Sequence, residues 1–453
     1  MPASILRPMV RTVVRRIFAV ALRVFFRRIE VVGAEHVPAS GPVIFVLNHP
    51  NALIDPAFLV CLAPRPVSFL AKAPLFKMPV IGWLVRAFES IPVYRRQDQG
   101  TDHGQTETVD NRDTFARARE LLLRGQSVAI FPEGTSHSDP MLKPIKTGAA
   151  RIALGTGLAQ LQIVPAGLYY VEKAKFRSDA LMVYGPPIPL GGFVAEADAA
   201  EPSPVAVQAL TARIQLALGE VTLQADQAEA LALVERVSRI FAATSDAPWT
   251  LSERFDLRRR MVAGHNKLRA ADPAAVRTIQ ARVEGYERDL AALGMSPEHY
   301  GPADFSVGGS LRYAARSAAS LGLLLPAALL GTTLHLITYT LTDLVARRVS
   351  GHDTDMVATI KLLAAMLLYP LTWIGVGVAA GLAWGAGWGV LAGVLAPLTG
   401  AAALVFRERF ATVGAAARGL LLFVTRRGTL ARLHADRMAI RAAIVELSGR
   451  VAG

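Results

Sequence analysis

The stretch VIFVLNHPNALIDP, residues 43–56, decides how the first half of the chain is read. Its first five residues are apolar and mostly β-branched or aromatic, with the length and composition of a buried strand. The run then turns polar at Asn48-His49, and both His49 and Asp55 stand directly before a proline. A residue before proline is pushed out of the helical region. Neither His49 nor Asp55 is therefore expected inside a regular helix, and residues 50–54 read as a short turn that folds Asp55 back toward the imidazole. Ligand sites in α/β sheets collect at the carboxyl ends of strands. A carboxylate on one ring nitrogen fixes the tautomer and leaves the other nitrogen to take a proton. For this pair alone, a structural hydrogen bond at a strand end is the plainer reading.

Working outward, residues 128–131 and 163–170 are further short β-branched or aromatic runs bounded by Gly and Pro, while 113–123 and 146–155 have helical character. Such alternation predicts an α/β layer fold. Residues 97–112 are polar and predict a surface loop, and 196–204, rich in Ala, Pro and acid, a linker. From about 205 to 295 the pattern is helical. The segments 252–269 and 272–293 meet at Asp272-Pro273, a good helix start, and predict a hairpin.

Three more clusters sharpen the reading of His49 and Asp55. In Ser90-Ile-Pro-Val-Tyr-Arg95-Arg96, paired guanidinium groups follow an apolar run and suit bidentate phosphate binding. In Ala129-Ile-Phe-Pro-Glu133-Gly134-Thr-Ser-His-Ser, a strand ends in a carboxylate able to accept a hydroxyl, next to a glycine that lets backbone approach a ligand. Lys146-Thr-Gly148 opens a helix, a natural place for an anion. Singly, each is as well explained as a solvated turn.

The bulk composition adds a membrane. Of 453 residues, 52% are hydrophobic, and the mean hydropathy of +0.35 is too high for an ordinary soluble protein. Residues 321–341 and 357–406 are nearly free of charge, long enough to span a bilayer. Three crossings would put the nine-arginine tail after residue 406 opposite the N-terminal domain, against the positive-inside tendency, whereas two crossings with a re-entrant segment would not. Pro326, Pro370 and Pro397 are compatible with broken helices. The net charge of +13 is concentrated at the ends, with seven arginines against Glu30 in residues 1–30. Basic ends beside apolar spans point to anionic phospholipids. No recognition motif points to nucleic acid. Arg7, Arg11 and Arg15 with Phe18, Leu22, Phe25 and Phe26 read as an interfacial helix rather than a cleaved leader. Cys61 is the only cysteine, which excludes an intrachain disulfide and suits a reducing compartment. No ligand spacing implies a metal.

Together, Asn48-His49 with Asp55, Ile91-Pro92-Val93-Tyr94-Arg95, Phe131-Pro132-Glu133-Gly134 and Val164-Pro165 resemble the four ordered motifs of the phospholipid and glycerol acyltransferase family, over roughly residues 30–195. The resemblance implies His49 as general base and Asp55 as its orienting partner. It implies Arg95 at the acceptor phosphate, Glu133 at the acceptor, and Pro165 on the acyl-donor side. Asn48, Arg96, Gly134 and Lys146 complete the expected binding set. Two features depart from the usual pattern. Five residues rather than four separate His49 from Asp55, and Gly134-Thr135-Ser136-His137-Ser138 lacks the usual arginine. The longer spacing, and Met356-Val-Ala-Thr-Ile-Lys361, are similar to fungal-type acyltransferases for glycerol 3-phosphate and dihydroxyacetone phosphate. The implied donor is acyl-CoA or acyl carrier protein, with no further cofactor. The implied acceptor is a phosphate-bearing glycerol, either glycerol 3-phosphate or dihydroxyacetone phosphate, or else 1-acyl-glycerol 3-phosphate. The implied place is the cytoplasmic membrane, with the catalytic domain on the cytoplasmic side. An inactive lipid-binding scaffold, a lipid hydrolase and a transporter are the competing classes.

The expected architecture is a basic amphipathic interface helix (1–28), then an α/β acyltransferase domain with a mixed sheet and flanking helices (29–200). A helical region (201–305), transmembrane helices (306–410) and a basic C-terminal helix (411–453) follow.

Overall fold

The computed structural model describes residues 3–94, 111–194, 202–244, 249–295, 307–351 and 355–452. It divides into two compact units, Met1–Gln224 with Ser350–Leu362, and Ala225–Val349 with Leu363–Gly453.

The first unit opens with α1 (Ala3–Phe25), which runs straight into β1 (Phe26–Val32), followed by β2 (Val43–Leu47) and α2 (Ile54–Leu62). Next come β3 (Val67–Lys72), α3 (Pro79–Ala87), β4 (Ile91–Val93), α4 (Arg112–Leu123), β5 (Ser127–Ile130) and α5 (Gly148–Leu154). The unit continues through β6 (Gln162–Tyr170), β7 (Ser178–Tyr184), β8 (Ile188–Pro189), α6 (Gly191–Val194) and α7 (Pro204–Val221). The strands form one sheet in the order β1-β7-β6-β2-β5-β3-β4, with β8 also on β6. It is mixed: β6 runs antiparallel to β7 and β8, and the remaining pairings are parallel.

All five residues of β2 are fully buried because both faces of the sheet are covered. Ile44 and Val46 face a core shared with Leu122 of α4, Ile152 of α5 and Leu210, Ile214 and Leu218 of α7. The alternate residue Phe45 lies against Tyr184, with ring centroids 6.1 Å apart. On that side Phe26, Phe58 and Tyr170 pack pairwise at 5.2–5.5 Å.

One boundary and one helix face differ from the sequence expectation. The α/β unit does not stop at 200, because α7 seals one face of its sheet and Gly167 of β6 sits so close to Val221 that a Cβ there would collide with its carbonyl oxygen. Helical periodicity identifies a helix but not the sheet it covers. The faces of α1 are also reversed. Phe18, Leu22, Phe25 and Phe26 are buried in the domain, while Met9, Val13, Ile17, Val20 and Val24 form the outward apolar stripe. Arg11 is turned inward, donating to Val67 O at 2.6 Å with its guanidinium 5.5 Å from the Phe88 ring centroid.

The second unit holds α8 (Ala228–Ala242), α9 (Leu251–Ala271), α10 (Pro273–Ala292) and α11 (Val307–Ser350), then α12 (Val357–Trp384), α13 (Ala386–Thr425) and α14 (Arg427–Ala452). The last residue of α11 and the first turns of α12 belong to the first unit. A capping box of Thr250 and Glu253 starts α9, and Asp272 caps α10 through Ala275 N at 3.0 Å. Basic α14 is not a lone surface helix. Its Leu430, Leu433 and Ile440 share a core with α8 and α10, and buried Arg437 donates to Tyr286 Oη at 2.9 Å.

Among the described residues, three helices are long and apolar enough to cross a membrane, over Arg316–Ser350, Val357–Trp384 and Ala386–Gly414. Helices α11, α12 and α13 continue through Pro326, Pro370 and Pro397 without breaking. Gly377 and Gly389 bring α12 and α13 into backbone contact, the close packing expected of small residues in a bilayer.

Candidate functional site

The turn after β2 brings the two residues that opened the sequence together. His49 Nδ1 lies 2.8 Å from Asp55 Oδ2 despite the five-residue spacing. Within the turn, Ala52 has a φ of +30°, a conformation L residues rarely adopt. Such a residue costs about 1–3 kcal/mol unless its surroundings enforce it. His49 lies outside any helix, as predicted, but Asp55 occupies the first turn of α2. Pro56 is tolerated there because first-turn amides have no intrahelical acceptor.

Asp55 is fully buried and fully partnered. Oδ2 also accepts from Asn51 N at 2.7 Å, and Oδ1 accepts from the Tyr170 hydroxyl at 2.7 Å. Burial, then the charge and hydrogen bond of Asp55, push the Tyr170 phenol well above its usual pKa, so it stays a donor. The His49 ring stacks on Phe131, with centroids 4.1 Å apart. With Nδ1 engaged, Nε2 is the ring nitrogen left to the cavity that His49 lines.

That cavity has a volume of about 1560 Å³. Lys72, Arg112, Arg119, Lys146 and Arg151 line it, and no described lining residue is an acid. Its apolar wall includes Leu53, Phe69, Leu84 and Val207. The positive φ of Gly134 (+74°) lets the Lys146 amine pack where a Cβ would stand, 2.5 Å from the ideal Cβ position.

Other expected site residues turn out to hold the site together. Glu133 is buried, and its carboxylate accepts from His49 N at 3.1 Å and Lys143 N at 2.9 Å while pairing with His137 Nε2. It is absent from the described cavity lining, and its oxygens brace the turn that carries His49. Asn48 is spent on β6, donating to Leu168 O at 3.0 Å and accepting from Leu168 N at 2.7 Å. Pro165 is buried in β6 between the residues that pair β8 and β7, where the missing N–H falls at a change of partner. It too lies away from the cavity. Arg95 and Arg96 lie outside the described residues. Tyr94 and Asn111, which flank that segment, both line the cavity and pair reciprocally, Asn111 Oδ1 accepting from Tyr94 N at 3.1 Å and Nδ2 donating to Tyr94 O at 3.0 Å.

Sequence reasoning gave no role to Tyr170, His137, Lys173 or Asp355. His137 stood inside the 129–138 run already singled out, and Asp355 beside the Met356–Lys361 run.

Among known proteins, the chain is similar to an uncharacterized acyltransferase of Schizosaccharomyces pombe, at 25% identity over 79% of this chain and 66% of that protein. It is similar to glycerol-3-phosphate O-acyltransferase 2 of Saccharomyces cerevisiae, at 29% identity over 61% of this chain and 39% of that protein. A chloroplastic 1-acyl-sn-glycerol-3-phosphate acyltransferase of Arabidopsis thaliana matches at 32% identity over 31% of this chain and 37% of that protein. The chain thus spans from under two-fifths to about two-thirds of the length of these relatives. Residues 28–169 match the family model described as acyltransferase, and residues 233–451 match the one described as the glycerol-3-phosphate acyltransferase 2 C-terminal domain.

Proposed function

We propose that this protein is a membrane glycerolipid acyltransferase. It moves a fatty acyl group from acyl-CoA or acyl carrier protein to the hydroxyl of a phosphate-bearing glycerol acceptor. The observation that carries this reading is the His49–Asp55 pair at 2.8 Å, set on a cavity whose described lining includes five cationic residues and no acid. His49 Nε2 takes the proton of the acceptor hydroxyl while its oxygen forms the new ester bond at the thioester carbonyl. Collapse of the tetrahedral adduct breaks the carbon–sulfur bond, and the imidazolium returns its proton to the leaving thiolate. The cations hold the acceptor's phosphate and the donor's anionic groups, and the apolar wall takes the acyl chain. The cavity is larger than the roughly 300–1,000 Å³ of ordinary small-ligand sites, as two substrates require.

Glycerol 3-phosphate is the preferred acceptor on this reading, supported by the C-terminal match over 233–451 and by the yeast relative. The apolar helices and the outward stripe of α1 support action at a membrane; on this reading it is the cytoplasmic membrane, with the α/β unit on its cytoplasmic face. The test is an acceptor panel with labelled acyl-CoA and purified membranes. Acceptor-dependent ester formation, strongest with glycerol 3-phosphate, is expected. Release of free fatty acid regardless of acceptor would make the protein a hydrolase.

A further inference from the structure

Lys173, Asp355 and Thr359 meet the catalytic turn from outside the acyltransferase match, which ends at residue 169. Asp355 is buried just before α12, and its Oδ1 accepts from Lys173 Nζ and from Ser138 Oγ. The same Lys173 amine donates to Pro50 O at 3.0 Å, and Lys173 O accepts from Asn51 Nδ2 at 3.4 Å. At the other end of the turn, Leu53 N donates to the buried Thr359 hydroxyl at 3.1 Å. Thr359 and Met356 also line the cavity. The turn between His49 and Asp55 is thus gripped at Pro50 and at Leu53, on either side of the strained Ala52. All these groups lie in the first compact unit.

We propose that Lys173, Asp355 and Thr359 are positioning residues that hold the 50–53 turn, and with it the His49–Asp55 pair, in reactive geometry. The segment entering α12 then completes the site, in addition to anchoring the chain. Asp355 neutralises Lys173 and fixes its amine over the Pro50 carbonyl. Without the carboxylate, the partly buried amine gains by moving to water and releases the turn. Thr359 supplies the acceptor for an amide that would otherwise face the apolar cavity wall unpaired. This inference rests on His49 acting as the base in acyl transfer.

The experiment uses full-length protein reconstituted in phospholipid vesicles, with Asp355→Asn, Asp355→Glu, Thr359→Val and Thr359→Ser. Two readouts are taken, steady-state kinetics and carbethoxylation of His49 by diethyl pyrocarbonate followed by mass spectrometry. Asp355→Asn and Thr359→Val are expected to lower kcat roughly 10- to 100-fold with KM for the acceptor almost unmoved, the effect of a misplacement of about 1 Å. Thr359→Ser, which keeps the hydroxyl, retains wild-type kcat, and Asp355→Glu recovers part of what Asp355→Asn loses. In the wild type, Asp55 shields Nδ1 and His49 takes one label. In Asp355→Asn and Thr359→Val the loosened pair admits a second. Full kcat with single labelling in both variants overturns the proposal. So does a loss that follows melting temperature alone, with Thr359→Ser as damaging as Thr359→Val. A wild type that transfers no acyl group defeats the proposed function, while the labelling pattern still decides whether these residues hold the turn.

Discussion

Tyr170, the last residue of β6, donates its phenolic proton to Asp55 Oδ1 at 2.7 Å. The two residues are separated by 115 positions. The bond engages one oxygen of the carboxylate, and the other accepts from the Asn51 amide and pairs with the His49 ring. A central strand and the first turn of a helix thereby fix the direction in which the imidazole points.

Replacing Tyr170 by Phe removes the donor and leaves a buried carboxylate oxygen short of a partner. The expected cost is about 1–3 kcal/mol of stability. A fall of roughly tenfold in kcat should accompany it, since the ring of His49 loses orientation. Thermal melting and steady-state kinetics on the same preparation check both; an unchanged kcat would confine Tyr170 to packing.

Asp55→Asn keeps the shape of the side chain but removes the charge that stabilises a protonated His49. Turnover should fall by about 100- to 10,000-fold, with the far-ultraviolet circular dichroism unchanged. Near-normal turnover would remove Asp55 from the mechanism.

Gly167→Ala should lower the melting temperature by several degrees, because the new methyl must displace the Val221 backbone. The change corresponds to about 1–3 kcal/mol of overpacking. A neutral result would show that α7 is only loosely applied to the sheet.

Cys61 reports on the packing of α2 against α1, its thiol donating to Arg15 O at 3.6 Å. Burial, opposed by the charges of Arg15 and Arg23, pushes this thiol from 9.0 up to about 11. The thiolate fraction at mildly alkaline pH is then about 100-fold lower than in the unfolded chain, and iodoacetamide should react correspondingly slowly. Because the folded pKa is raised, the stability linked to this group is present below pH 9 and lost as pH rises toward 11. Equal alkylation rates in native and denatured protein would contradict the burial of Cys61.

The strands β2, β5 and β6 were legible because both faces of each are covered, so their runs are continuously apolar. The His49–Asp55 pair was legible because two prolines bracket a short polar turn, and the contact is local. Residues whose partners are remote were not. Nothing near Lys173 in sequence marks it as a partner of Asp355, which lies 182 positions away. Glu133 and Asn48 were read as binding residues, but the direction of their polar atoms depends on contacts with His49, Lys143 and Leu168 that the local sequence does not show. The two apolar stripes of α1 have similar periodicity, and only the packing of Phe18 and Leu22 decides which one faces the sheet.

The reciprocal bonds between Asn111 and Tyr94 close the chain on itself like a buckle. The Asn111 side chain ties the end of β4 to the start of α4, although sixteen positions of sequence separate it from Tyr94. One side chain therefore clasps together the two pieces of cavity wall at the end of β4 and the start of α4.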